Sequence, residues 1–477
     1  MAYFIAVDLG AESGRVILGA LSDSALELTE LHRFPNIPVA VGKTLHWDIL
    51  RLWHEIQAGV AKATGLGHKI EGLAMDTWGV DFGLMAGDGS LLGNPVCYRD
   101  ARTVGMPGKV FAKLAKERIY AATGIQTMPL NTLFQLAAMR EADSPLLKAA
   151  DKLLFIPDLL SYWFTGTMAN EYTFASTSQM LDARKRAWSG EILGHLGIPA
   201  GLFPKIIFPG RADSRWGTVR AEVGDALGAT GIPVLAVGSH DTASAVAAIP
   251  ATTGDDWLFL SSGTWSLLGV EVREPVLTAK AAEYDLTNEG GLDGTIRLLK
   301  NIAGLWLVQE CKRAWAREGK EYDYTTLTKM AEAAPAHFAA IDPADGAFAS
   351  PGEMPRKIAE ACRRTGQRVP DSPGVMVRVI LESLAATYAK VMGMLQEVTG
   401  RKFGHLHIVG GGSQNDLLNQ LAADATGLVV HAGPVEATAL GNIVSQAVTT
   451  GHLGSLAAGR ELIARTARVR EFRPRGA

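Results

Sequence analysis

Asp241 lies in "GSHDTASAV" (238–246), directly after the apolar run "IPVLAV". A carboxylate at the end of a buried strand is costly unless it is paired or used. This one is flanked by His240 and Thr242, and the small residues that follow let a helix approach closely. In phosphoryl transfer to an alcohol, a protein mainly positions the reactants and neutralises charge, while one carboxylate takes the proton of the acceptor hydroxyl. Asp241 is the candidate for that base. Its alternative role is to cap the helix that follows, which aspartate does well.

A phosphate donor needs a cradle, and "DLGAESGR" (8–15) offers one. No lysine follows Gly14, so it is not a Walker loop; the residues after Gly14 keep reading as strand, so it is not a dinucleotide fingerprint either. What remains is a hairpin turn whose amides could donate to phosphate oxygens. Ser13 would add a hydroxyl, Arg15 a charge, and Asp8 would hold Mg²⁺ through water. An ordinary glycine-containing hairpin is the competing reading. "SSGTWS" (261–266) repeats the pattern in the second half of the chain, with Thr264 in the bend. "VGGGSQN" (409–415) ends an apolar strand in three glycines, against which a flat ligand can lie. "GPVEATALGN" (433–442) would begin a helix near Glu436 with small residues fit to pack beside an adenine. Groups for gripping a polyol occur in "HWD" (46–48), "DTWGVD" (76–81), "YRDART" (98–103) and "PLNTLFQ" (129–135). Trp78 beside Asp76 could supply an aromatic face for a sugar, or simply belong to the core.

These pieces must be held by regular elements. "YFIAVDLG" and "GRVILGAL" read as two strands joined by a tight turn. Ile49, Leu52, Trp53, Ile56 and Val60 recur at helical spacing, with Gly65 and Gly67 as the stop. An apolar strand then runs through 70–85 into Asp76 and Asp81. The stretch from about 105 to 230 shows little clean periodicity, apart from a helix over 157–166 with Pro157 near its start and Gly166 at its end. Near residue 250 the order begins again: strand, turn and strand over 255–272, a long amphipathic helix over 375–400, then a buried strand from 406. The order recurs although the residues do not, so two related α/β domains are expected, 1–247 and 248–477, divided within the turn-rich 247–255.

Bulk properties narrow the class. The 477 residues carry 46 Lys and Arg against 49 Asp and Glu, a net charge of −3, without the basic excess of a nucleic-acid binder. The arginine-rich end, "RVREFRPRGA", reads as a solvated tail. Cys97, Cys311 and Cys362 lack zinc or disulfide spacing, the N-terminus lacks signal-peptide features, and the apolar runs are far shorter than the roughly 18 residues of a membrane helix. A cytoplasmic enzyme acting on small molecules, without nucleic-acid or membrane partners, is expected; its oligomeric state, monomer or homodimer, is left open.

Taken together, "AVDLGAESGRV", "DTWGVDF", "YRDART", "SHDTASAV", "LSSGTWSL", "TNEGG", "LKNIAGLWLVQ", "LHIVGGGSQN" and "AGPVEATALGNI" resemble the FGGY carbohydrate kinases over nearly the whole chain. The resemblance implies two ribonuclease H-like domains of the actin/sugar-kinase/Hsp70 superfamily flanking a deep catalytic cleft, the first mainly binding sugar and the second mainly ATP. It implies ATP-dependent phosphorylation of L-rhamnulose at its 1-hydroxyl, with Mg²⁺ as cofactor. Other ketoses or polyols, such as L-fuculose or xylulose, are the alternative substrates. A nucleotide-dependent binding protein without kinase activity is the alternative class, and it would not need Asp241. A dehydrogenase is disfavoured by the missing fingerprint. By the resemblance, Asp241 is the proton acceptor, and Ala11, Glu12, Ser13, Gly14 and Arg15 form the first phosphate loop. Thr264, Gln309 and Gly411 also contact nucleotide, and Gly79, His240, Asp241, Thr242 and Asn301 contact sugar. Asp8 orients Mg²⁺ through water. Glu12 stands where the family usually has serine or threonine; its side chain is expected to turn from the phosphates or to pair with Arg15.

Overall fold

The computed structural model describes residues 1–252, 254–348 and 350–475. Thr253, within the expected boundary segment, and the last two residues of the tail lie outside the described residues. The chain forms two compact units, each built on a mixed sheet. The first comprises Met1–Thr252, Glu271–Leu298 and Ala437–Thr466; the second comprises Thr253–Val270, Leu299–Glu436 and Ala467–Ala477.

In the first unit β1 (Ala2–Leu9) and β2 (Ser13–Leu21) form the hairpin read from the sequence. They are followed by β3 (Leu26–Pro35), β4 (Ile70–Thr77), β5 (Arg215–Thr218) and β6 (Pro233–Leu235), in the sheet order β5-β6-β4-β1-β2-β3. β4 runs parallel to β1 and is bonded on its other side to β6. Inner parallel strands are covered on both faces, which is why β1 and β4 read as near-continuous apolar runs. The expected helix is α1 (Ile49–Thr64), capped by Asp48 and burying Ile49, Leu52, Ile56 and Val60. The helix at 157–166 is α2 (Ile156–Thr165), ended by Gly166 with φ +78°. α3 (Tyr172–Thr177) and α4 (Asp241–Ala247) complete the elements that carry the site. The helix Ala437–Thr449 packs on α4 so closely that a Cβ on Gly441 would lie 1.7 Å from the Ser244 carbonyl oxygen.

The second unit holds β7 (Trp257–Ser262), β8 (Trp265–Val272) as far as Val270, β9 (Ile296–Ala303) from Leu299 onward, β10 (His405–Val409), β11 (Val429–Ala432) and β12 (Arg470–Phe472), neighbours in the order β9-β8-β7-β10-β11-β12. α5 (Trp306–Arg317) and the long α6 (Pro373–Thr399) support it, and the Tyr388 hydroxyl of α6 lies 2.8 Å from Ser266 Oγ. The arginine-rich tail is not merely solvated. Residues 470–472 form β12, antiparallel to β11, because the backbone N–H and C=O groups of even a short segment can pair with those of an open sheet edge. The neighbour order β9-β8-β7-β10-β11 repeats β3-β2-β1-β4-β6, with a parallel step from first to fourth strand in each. The recurring plan seen along the sequence is therefore a recurring topology. Among the described residues no helix is long and apolar enough to cross a membrane. All three cysteines are buried and free.

Candidate active site

The site in the first unit grows from the ends of β1 and β4. Register places Asp8 beside Asp76 on the parallel neighbour and opposite Arg15 on the antiparallel one. Arg15 forms an ion pair with Asp8, so the charge expected to serve phosphate is engaged by the carboxylate expected to serve metal. The turn between β1 and β2 is braced by Asn36. Its side chain donates to the Gly10 carbonyl at 2.9 Å and its amide to the Glu12 carbonyl at 3.0 Å, while Gly10 N donates to Ser13 O at 2.9 Å. Glu12 is exposed. Gly14 is required by packing rather than by phosphate approach, since a Cβ there would meet the Phe34 ring at 2.3 Å.

Asp76 is fully buried; its Oδ2 accepts from Asn442 at 2.6 Å, while its Oδ1 has no partner. Burial first, and then the Asp8 carboxylate, push its carboxyl well above the usual range, with Asn442 opposing and Asp241 adding to the rise. Gln446 holds Asn442 in place, donating to its Oδ1 at 2.8 Å and to the Ile5 carbonyl at 3.0 Å. Among the described residues, no three His, Cys, Asp or Glu are disposed to hold a metal ion directly. The chemistry of the set fits a hydrated cation: mutually repelling carboxylates and a buried, unpartnered oxygen, in a place where direct ligation is not built.

Asp241 begins α4, but the cap position itself is His240, without a side-chain cap bond. Asp241 instead turns its Oδ1 to Thr242, accepting from the amide at 2.6 Å and the hydroxyl at 3.1 Å. A third (33%) of its side chain remains exposed. Desolvation raises its pKa and Asp8 adds to the rise, whereas His240 opposes it. The segment leading to it is tied down by Glu171, which the sequence reading did not single out. Glu171 Oε2 accepts from Ser239 Oγ (2.5 Å), Ser239 N (3.3 Å), Thr173 Oγ1 (2.6 Å) and Phe174 N (3.0 Å), and Oε1 accepts from Thr173 N (2.8 Å). One buried carboxylate thus caps α3 and anchors the residue two before Asp241. Its raised pKa comes from burial, opposed by those donors. The only sequence signal was an acid within the small and apolar stretch "MANEYTF".

The loop after β4 carries strain next to this segment. Val80, β-branched, has φ +70°, and its carbonyl is held by Thr132 Oγ1 at 2.6 Å. Strain of this kind persists where the surroundings over-determine it, typically at functional sites. Gly79 lies against His240: a Cβ would come 3.3 Å from Nε2, close enough that a side chain there would displace the ring or occupy the space before it. Trp78 is not a sugar platform. It is 5% exposed, and with Trp47 it donates to the fully buried Asp81 at 3.0 and 2.6 Å. Gln135 (3.0 Å) and the Tyr98 amide (3.1 Å) complete that cage. Burial still lifts Asp81 to about 6.

The second unit holds the other expected residues. Thr264 occupies the β7–β8 turn, where its carbonyl accepts from Trp306 N at 3.1 Å, joining the turn to the start of α5. Gln309 follows on α5 with a buried, unpartnered Oε1, and Asn301 lies on β9. The three glycines divide in function. A Cβ on Gly412 would meet Ser262 Oγ at 2.0 Å and one on Gly410 would meet Ser262 O at 3.0 Å, whereas Gly411 faces open space. Packing accounts for the outer two, and only Gly411 presents bare backbone. Thus Ala11–Arg15, Asp8, Gly79, His240, Asp241 and Thr242 belong to one unit, and Thr264, Asn301, Gln309 and Gly411 to the other.

The chain belongs to the FGGY family of carbohydrate kinases: residues 3–248 match the family's N-terminal domain and 258–450 its C-terminal domain. It is a carbohydrate kinase of the two-domain actin/Hsp70-like fold. Over 471 residues it is 45% identical to the rhamnulokinase of Bacteroides thetaiotaomicron, covering 99% of this chain and 96% of that one. Over 463 residues it is 42% identical to the rhamnulokinase of Enterococcus faecalis, covering 96% and 92%. Among solved structures, a gluconate kinase from Lactobacillus acidophilus superposes with TM-score 0.81 at 18% identity, covering 99% of this chain and 94% of that one. A Plasmodium falciparum glycerol kinase with ADP gives 0.79 at 15%, again covering 99% and 94%. At those identities the structures speak to fold alone.

Proposed function

We propose that this chain transfers the γ-phosphoryl group of ATP to the 1-hydroxyl of L-rhamnulose, giving L-rhamnulose 1-phosphate and ADP in rhamnose catabolism. The observation that carries this reading is near-full-length identity of 38–45% to curated rhamnulokinases. Asp241 takes the proton of the 1-hydroxyl as its oxygen attacks the phosphorus. Thr242 and His240 lie on its Oδ1, which leaves Oδ2 for that proton. Gly79, His240, Thr242 and Asn301 contact the sugar. The amides of Ala11 to Arg15, with the Ser13 hydroxyl, receive phosphate oxygens; the engagement of the Gly10, Glu12 and Ser13 carbonyls within the turn supports that role. Thr264, Gln309 and Gly411 hold the nucleotide, supported by the orphaned Gln309 oxygen and the open face of Gly411. Asp8 would hold Mg²⁺ through water, and that ion would offset phosphate charge. The reaction belongs to the cytoplasm, where ATP and reduced thiols are found.

A coupled ADP-release assay over L-rhamnulose, L-fuculose, L-xylulose and D-xylulose tests the assignment. The expected result is a kcat/KM for L-rhamnulose above all others. Preference for another ketose would assign a different sugar to the same chemistry.

A further inference from the structure

Arg297 is completely buried, and its guanidinium meets three groups. Nε donates to the Gly290 carbonyl at 2.9 Å, Nη1 lies 3.2 Å from Glu289 Oε2, and Nη2 donates to His240 Nδ1 at 3.2 Å. His240 in turn places Nε2 3.3 Å from Asp241 Oδ1. Burying an arginine is expensive, and the Glu289 carboxylate offsets its charge. A hydrophobic residue would fill β9 without that cost, so the arginine's placement calls for a reason beyond packing.

Guanidinium can only donate. A ring nitrogen receiving its bond must therefore present a lone pair, and the ring's proton must sit on the other nitrogen. We propose that Arg297, neutralised by Glu289, is a positioning residue that holds His240 as the neutral Nε2–H tautomer, so that it donates toward Asp241 Oδ1 and the bound sugar. The alternative tautomer is available in the same place: Glu289 Oε2 lies 3.3 Å from His240 Nδ1 and would accept a hydrogen bond from an Nδ1–H if the arginine did not donate. The remaining groups around the ring do not compete. The Phe174 ring stands edge-on at 6.4 Å, Gly79 has no side chain, and the His240 amide is bound to Thr173 Oγ1. Three donors then converge on Oδ1, two from Thr242 and one from His240, which steadies the carboxylate with Oδ2 toward the acceptor. In the opposite tautomer Nε2 would set a lone pair against Oδ1, and two acceptors would repel. Local pattern does not mark Arg297, because in "TIRLLKN" it is one of several polar residues among apolar ones.

The tautomer is independent of the kinase reading, and the kinetic consequence rests on it. The test is a two-bond ¹H–¹⁵N correlation spectrum of ¹⁵N-histidine-labelled full-length protein at about pH 7.5, with the signal assigned by His240→Gln. The expected wild-type pattern is Nε2–H; an Nδ1–H or doubly protonated ring overturns the proposal without any need for an arginine variant. In folded Arg297→Gln the proton is expected to move to Nδ1, facing Glu289, and a retained Nε2–H pattern would remove Arg297 from the assignment. In the same variant kcat/KM for the sugar should fall by about tenfold or more, with the KM for ATP within about twofold of wild type. An unchanged sugar kcat/KM beside a switched tautomer would show that the orientation does not serve catalysis and would also overturn the proposal. If the wild type turned over no ketose, the spectrum would still decide the tautomer, so the two failures are separable.

Discussion

Glu171→Gln should loosen the segment that presents Asp241 while leaving the fold intact. Glu171 receives five hydrogen bonds, four on Oε2 and one on Oε1. In the amide, the oxygen does best in the crowded position, which sets the new NH₂ head to head with Thr173 N–H. One buried donor left unsatisfied costs about 1–3 kcal/mol. The four remaining bonds weaken too, since charge-assisted bonds are about twice as strong as neutral ones. Against this, burial already raises the Glu171 pKa, so removing the charge recovers part of a desolvation cost. The net is about 2–3 kcal/mol of local stability, or roughly a 30- to 150-fold rise in opening of the segment. Amide hydrogen exchange over 171–177 and 237–241 reads this directly, and turnover of L-rhamnulose reads its consequence. Exchange should quicken by that factor and kcat should fall about tenfold, with the KM for ATP unchanged. Wild-type exchange and wild-type kcat would show that the Glu171 bonds do not hold the segment that bears Asp241.

Three further outcomes follow from the same geometry. Asp81 is lifted from 3.8 to about 6, so its contribution to stability is full below pH 3.8 and is lost as pH rises through about 6. Asp81→Asn should therefore cost less at pH 7.5 than at pH 5, by about 1 kcal/mol in urea unfolding; an equal cost at both would refute the shift. Gly412→Ala should lower the melting temperature, at about 1–3 kcal/mol for overpacking against Ser262, whereas Gly411→Ala should melt like wild type and raise the KM for ATP. The reverse pattern in melting and ATP kinetics would exclude this division of the glycines. Asn442→Ala removes the donor to buried Asp76 and should destabilise by about 1–3 kcal/mol by thermal or urea unfolding, with no loss expected if Asp76 is held otherwise.

Periodicity and glycine placement made both hairpins, α1, α2, α6 and the repeated order of elements legible, because each depends on local pattern. Asp241 drew attention for a similar reason: an acid terminating an apolar run has to be explained. Long-range contact is what escaped. Nothing local joins Glu271–Leu298 and Ala437–Thr466 to the first 252 residues, and Gly441 looks like any small helical residue until Ser244 is set against it. Trp78 misled because an aromatic beside an acid suits a sugar as well as a buried cage; its own indole N–H, bound to Asp81, settled the matter. Arg15 was read as a charge for phosphate or a partner for Glu12, whereas strand register puts it opposite Asp8. Glu171 and Arg297 stayed hidden because a single polar residue in a buried element gives no periodic signal; their importance lies in partners distant in sequence.

The decisive measurement is single-turnover phosphorylation of L-rhamnulose by the wild type and by Asp241→Asn, at matched ATP occupancy. Removal of a general base lowers the chemical step by about 10²–10⁴-fold. L-rhamnulose 1-phosphate formed by the wild type, with a loss of that size in the variant at unchanged ATP affinity, is the predicted result. Near-wild-type phosphorylation by Asp241→Asn would contradict it.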